Sequence, residues 1–206
     1  MRRPTGTETL SGLGVSLAGA AVALEYWHVW RRGRAPLPTE TEAVLGAGAE
    51  AARETVEVVV AGYQSGYRRE NALLNLLVAY AGTAALARVS THLIRAHGSL
   101  GPLRNRRVAG RHIHHFLPGI GLVLLSGGAS IVTRGEQFDR WLALPFGAGG
   151  ALILDEAALL VELEDVYWSK EGILSVQMTT ATLSLLGALA VGRRVARRGE
   201  AEVLLG

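Results

Sequence analysis

Residues 141–168, WLALPFGAGGALILDEAALLVELEDVYW, decide how the chain is read. The first half is apolar enough to run through a bilayer. The second half sets Asp155, Glu156, Glu162, Glu164 and Asp165 into the same run. A charged side chain near the bilayer centre costs about 2.5–3.5 kcal/mol on insertion scales, so such groups usually face a bundle interior and take partners. On a helical wheel Asp155 and Glu162 coincide and Asp165 lies beside them, while Glu156 and Glu164 face away. The expected partners are the histidines of the preceding segment, RHIHHFLPG, residues 111–119.

Outward from this stretch, apolar residues gather into blocks that approach or reach the ~20 residues needed to span a bilayer. The 206 residues suffice for one compact unit, and the alternating pattern of a transmembrane barrel is absent. The expected fold is therefore an all-α, polytopic membrane helical bundle in a single domain, 1–206. It has about five transmembrane helices, at 9–30, 70–94, 112–133, 141–166 and 173–192, and one amphipathic interfacial helix at 39–66. The first block ends in Tyr26, Trp27 and Trp30 followed by Arg31, Arg32 and Arg34, the order of a membrane interface. Glu25 and His28, three apart, form an expected ion pair there. The amphipathic segment follows Pro36 and Pro38, with Thr39 or Thr41 as its start. In the second block Asn71 and Asn75 sit one turn apart, placed to hydrogen-bond across a helix contact. Pro118 falls early in the third block and Pro145 in the first turns of the fourth. The 26 glycines suggest close helix packing, and a homo-oligomer through Gly-rich faces is an expected partner alongside membrane lipids.

The chain has no Cys, which removes disulfides and thiolate chemistry. All of its 21 basic residues except Lys170 are Arg, and they flank the apolar blocks. They are not interleaved with aromatics and no base-reading motif appears, so nucleic acid is not an expected partner. Basic residues are more numerous in the first loop, the third loop and the carboxyl tail, which predicts a cytoplasmic carboxyl tail. No Walker, Rossmann or G-x-S-x-G pattern is present. The block after Leu10 runs on without a clean cleavage site, against a signal peptide.

Alternating spans bring the end of the second, the start of the third and the end of the fourth to one membrane side. His92, His112, His115, Glu162 and Asp165 then surround one pocket near that surface, with Asp155 deeper. His and carboxylate together suit zinc or non-haem iron. His112 and His115 are spaced i, i+3, as are Glu162 and Asp165, so two facing pairs make a ligand set. The alternatives are a metal-free His–carboxylate network and exposed headgroup contacts. Three functions follow. One is a membrane assembly protein of undetermined activity with a buried His/carboxylate network. A second is a metal-dependent enzyme acting on a lipid-like substrate, with those residues as ligands and Asp155 as catalytic base. The third is an ion channel or proton-coupled transporter using Asp155 and Glu156.

Arg111, residues 113–116, Pro118 and Gly119 carry an RxIHHFxPG pattern. Asp155, Glu156, residues 158–160, Glu162 and residues 165–168 carry DExALLxExxDVYW. In these two stretches the chain resembles a group of bacterial polytopic membrane proteins with no assigned activity. The resemblance covers roughly residues 68–178 and implies the bacterial inner membrane. His112, His115, Asp155 and Ser175 also look superficially like the zinc site of ceramidase-like membrane hydrolases. The paired histidines those enzymes carry in a final helix are missing, since no His follows His115.

Overall fold

A computed structural model describes residues 6–97, 107–108, 111–112, 116–133, 135–155 and 170–204. Among them six helices follow in order: α1 (Gly6–Arg32), α2 (Val44–Gln64), α3 (Arg68–His97), α4 (Phe116–Thr133), α5 (Glu136–Asp155) and α6 (Lys170–Val203). The remaining regular structure is a two-residue antiparallel ladder, β1 (Arg107–Val108) with β2 (Arg111–His112). The described residues are all-α apart from that ladder.

Several boundaries differ from those expected. The third block begins its helix at Phe116, and His112 lies on β2. Pro118 accounts for this. A helix started at 112 would set the proline ring against the carbonyl of residue 114. His112 and His115 therefore do not share one helix, and their i, i+3 spacing loses its helical meaning. The fourth helix starts earlier than expected, at Glu136, so Pro145 is interior to α5. The amphipathic helix is shorter than 39–66. Thr41 accepts a hydrogen bond from the Ala43 amide at 3.1 Å, closing a turn that leaves the helix to begin at Val44. The fifth block extends into a 34-residue helix, roughly 50 Å long and longer than a bilayer's hydrocarbon core.

Contacts fix the helix directions. Leu76 and Tyr80 of α3 lie against Gly147 and Gly150 of α5, so these two run the same way. Gly119 of α4 meets Leu152 and Ile153 of α5, while Gly127 meets Phe146 and Ser130 bonds Asp139, so α4 runs opposite to α5. Leu77 and Leu74 of α3 meet Gly187 and Gly192 of α6, so α6 opposes α3. Val15 and Ala18 of α1 line a groove with Ala181 to Ala188 of α6, while His28 pairs with Glu200 further along both, so those two are parallel. Thus α1, α3, α4, α5 and α6 alternate in direction along the chain. The amphipathic α2 packs its buried stripe, Ala47, Ala51, Glu54, Val58 and Gly62, on α1 and the carboxyl-terminal part of α6.

Close approach substitutes for bulk in this bundle. The largest fully buried side chains are only Val29, Val58, Val195 and Asn71. A methyl on Gly62 would collide with the Val195 carbonyl, and one on Gly199 with the Val58 carbonyl. A Cβ on Gly149 would come 2.6 Å from the Gly119 carbonyl. These glycines bring helices into backbone contact, as small residues do between membrane helices. Large apolar residues face outward instead: on α4, Leu124, Leu125, Ile131 and Val132 are exposed. Among the described residues two helical segments, Arg68–Ser90 and Phe116–Thr133, are long and apolar enough to cross a membrane, with mean hydropathies of 1.5 and 1.8.

Candidate functional site

The site forms where α3 passes the end of α5. Asp155 lies at the end of the described part of α5. Arg88 of α3 pairs with it: its Nε lies 3.2 Å from Asp155 Oδ1. The Asp155 side chain is mostly buried at 16% exposure and Arg88 is half-buried at 34%. Within an apolar bundle a carboxylate and a guanidinium at this range each offset the other's cost of leaving water. Two turns earlier on α3 the Tyr80 hydroxyl donates to Thr180 Oγ1 on α6 at 3.0 Å. Its ring lies against Gly150, where α5 has no side chain to exclude it.

A groove of about 610 Å³ connects these groups, bounded by α1, α3, α5 and α6. Its walls are small and aliphatic, chiefly Ala81, Ala84, Ala85, Ala151, Ala181 and Leu185. Arg88, Asp155 and Tyr80 are its polar members, with Thr182 across from them. The volume falls in the range of small-molecule sites, whose walls are mostly apolar with a few polar groups that fix orientation.

Of the expected site residues, Asp155 is in the groove with Arg88 as partner. His92 follows Arg88 by one turn on α3, and His112 is on β2. His115, Glu162 and Asp165 lie outside the described residues, as do Glu156 and Glu164. Among the described residues no three His, Asp or Glu side chains gather as a metal site would require. Arg88, Tyr80 and Thr180 were not singled out in the sequence. Arg88 had a legible signal: it is a cation within the second apolar block, and such a charge calls for an acid from another helix.

A second polar network lies at the other end of α3. Asn71 Nδ2 donates to the Tyr63 carbonyl at 2.6 Å. Asn75 Nδ2 donates to the Tyr63 hydroxyl at 2.9 Å and to the Arg140 carbonyl at 2.7 Å. Arg198 of α6 pairs with Glu70, and its guanidinium lies 5.9 Å from the centre of the Tyr67 ring. The asparagines thus join α3 to α2 and α5, the role expected of them. Glu25 and His28 do not form the expected pair. His28 Nε2 instead lies 3.3 Å from Glu200 Oε2, because α6 runs on past the apolar stretch and brings Glu200 alongside α1. No family model, curated protein or solved structure matches this chain.

Proposed function

We propose that the chain is a multi-pass protein of the bacterial inner membrane that binds a lipid-like molecule in the groove at Arg88 and Asp155. It crosses the bilayer five times, through α1, α3, α4, α5 and α6, with α2 lying at the interface. The alternating directions of those helices support five crossings, as do the leucines and isoleucine turned outward on α4. The arginine-rich carboxyl tail is on the cytoplasmic side. The observation that carries the binding reading is the groove itself: a trough of alanines within reach of lipid tails, ending at one ion pair. Methyl-lined walls accept an acyl chain, and the guanidinium and carboxylate hold a polar head. Purified protein analysed by native mass spectrometry is expected to retain such a molecule. Ala85→Phe, which fills the trough, and Arg88→Gln, which removes the head contact, are each expected to reduce its occupancy severalfold. Unchanged occupancy in both variants contradicts the reading.

A metal-dependent enzyme acting on a lipid-like substrate is the second reading. It is favoured by the meeting of the α3 carboxyl-terminal half, the α4 start and the α5 end at one end of the bundle. His92, His112, His115, Glu162 and Asp165 are its ligand candidates for zinc or iron, and Asp155 its base. Elemental analysis tests it: stoichiometric metal, lost in His115→Ala, is the expected outcome.

A further inference from the structure

The seam between α1 and α6 opens, toward Arg193, into a second groove of about 810 Å³. We propose that this groove seats an anionic phospholipid with a hydroxyl-bearing headgroup; the proposal rests on the membrane reading above. Its floor is apolar, made by Leu17, Ala21 and Leu24 of α1 with Ala188 and Leu189 of α6. From Leu17 to Arg31 the seam runs roughly 20 Å, more than the ~15 Å depth of one leaflet's hydrocarbon. Because α1 and α6 are parallel with His28 beside Glu200, the apolar stretch of α6 ends roughly 10–15 Å before that of α1 along the seam. An arginine-bearing turn follows on each: Arg31 on α1, and Arg193 with Arg197, one turn apart, on α6.

Three guanidiniums stand at this end against two carboxylates, Glu25 and Glu200, which lie close enough to interact with each other. All three guanidiniums are exposed, and none has a carboxylate within ion-pair distance among the described residues. Glu200 is occupied by His28. Glu25 Oε1 is buried beside them with no hydrogen-bond partner. A buried acceptor without a donor is costly, and a headgroup hydroxyl supplies one. Trp27, half exposed on the same rim, is the residue type that settles at headgroup level. A phosphate thus falls to the arginines, a glycerol hydroxyl to Glu25 and an acyl chain to the trough.

The test compares phosphatidylglycerol with phosphatidylcholine of the same chains, titrated into purified protein and counted by native mass spectrometry. Phosphatidylglycerol is expected to bind at least tenfold more tightly. R193Q and R197Q are each expected to cut that preference roughly fivefold. Arg194→Gln, outside the groove, leaves it unchanged. Ala21→Phe weakens phosphatidylglycerol binding with all arginines intact, and glycerol phosphate without chains binds far more weakly than the lipid. Equal affinity for the two lipids, or a preference indifferent to R193Q/R197Q, overturns the proposal. So does equally tight binding of glycerol phosphate, which marks an anion site alone. Retention of phosphatidylcholine without a phosphatidylglycerol preference sinks only this seat; a protein that takes up neither lipid sinks the membrane reading as well.

Discussion

Asn75 links three helices through one amide. Both of its donors are used, one on the Tyr63 hydroxyl and one on the Arg140 carbonyl. A carbonyl oxygen has two lone pairs, so that of Arg140 can accept from Asn75 as well as from within α5. Removing the amide leaves a tyrosine hydroxyl and a helix carbonyl short of a donor. Asn75→Ala is expected to lower stability by about 0.5–1.5 kcal/mol, the usual worth of one polar contact between membrane helices. Thermal unfolding in detergent measures it; an unchanged midpoint means water replaces the amide. Glu54 behaves differently. It is 4% exposed and accepts from the Arg34 amide at 3.0 Å and the Arg34 Nε at 3.2 Å, holding the turn after α1 against α2. Because Arg34 itself is exposed, the backbone bond carries most of the effect and the ion pair little. Glu54→Ala is therefore expected to cost about 1–3 kcal/mol, and Arg34→Ala markedly less, in the same unfolding measurement.

At the scale of the helix, glycine position separates two kinds of contact. Gly149 of α5 faces Gly119 of α4 so closely that a Cβ would lie 2.6 Å from the opposing carbonyl. Gly128 of α4 has nothing within 4 Å. Gly149→Ala is thus expected to force α4 from α5 and lose about 1–3 kcal/mol. Gly128→Ala gains helix propensity without a clash and is expected to be neutral or slightly stabilising. Equal effects of the two substitutions contradict the packing. The sequence told that glycines mattered but not which, because a wheel places residues on faces without saying which face meets a neighbour. Helix existence was legible from the apolar blocks, and so was the amphipathic helix, α2. The starts of α4 and α5 were not, since hydropathy changes smoothly across RHIHHFLPG and across RGEQFDRW, while proline chemistry and local bonds set the ends. Asp155 was legible as an anomalous charge. Its partner Arg88 was missed because adjacent histidines drew the pairing, although a guanidinium already stood in the neighbouring apolar block.

For the whole molecule, alternation of helix direction is the property with the widest consequence. A five-crossing chain puts the α2–α3 turn and the end of α6 on one side of the membrane. It puts the β1–β2 ladder, which lies between the end of α3 and the start of α4, on the other. In that arrangement the first side collects Arg31, Arg32, Arg34, Arg193, Arg194, Arg197 and Arg198, which is the ground for proposing it as the cytoplasmic side. The absence of native cysteine makes the arrangement open to direct labelling, since a single introduced thiol is the only one in the chain. Ser65→Cys and Glu202→Cys are expected to resist a membrane-impermeant maleimide in intact cells and to react once the membrane is opened. Val108→Cys is expected to react in both conditions. Should all three react alike in intact cells, the crossings do not alternate. If instead only α3 and α4 cross, the two segments whose hydropathy alone suffices, the ladder between them still differs in side from Ser65. Glu202 does not discriminate that case, because the chain then returns to the side of Ser65 after α4. A fourth position does: Lys170→Cys, before α6, labels from outside only when α5 crosses, whereas Glu136→Cys, at the start of α5, shares the side of Ser65 in both arrangements.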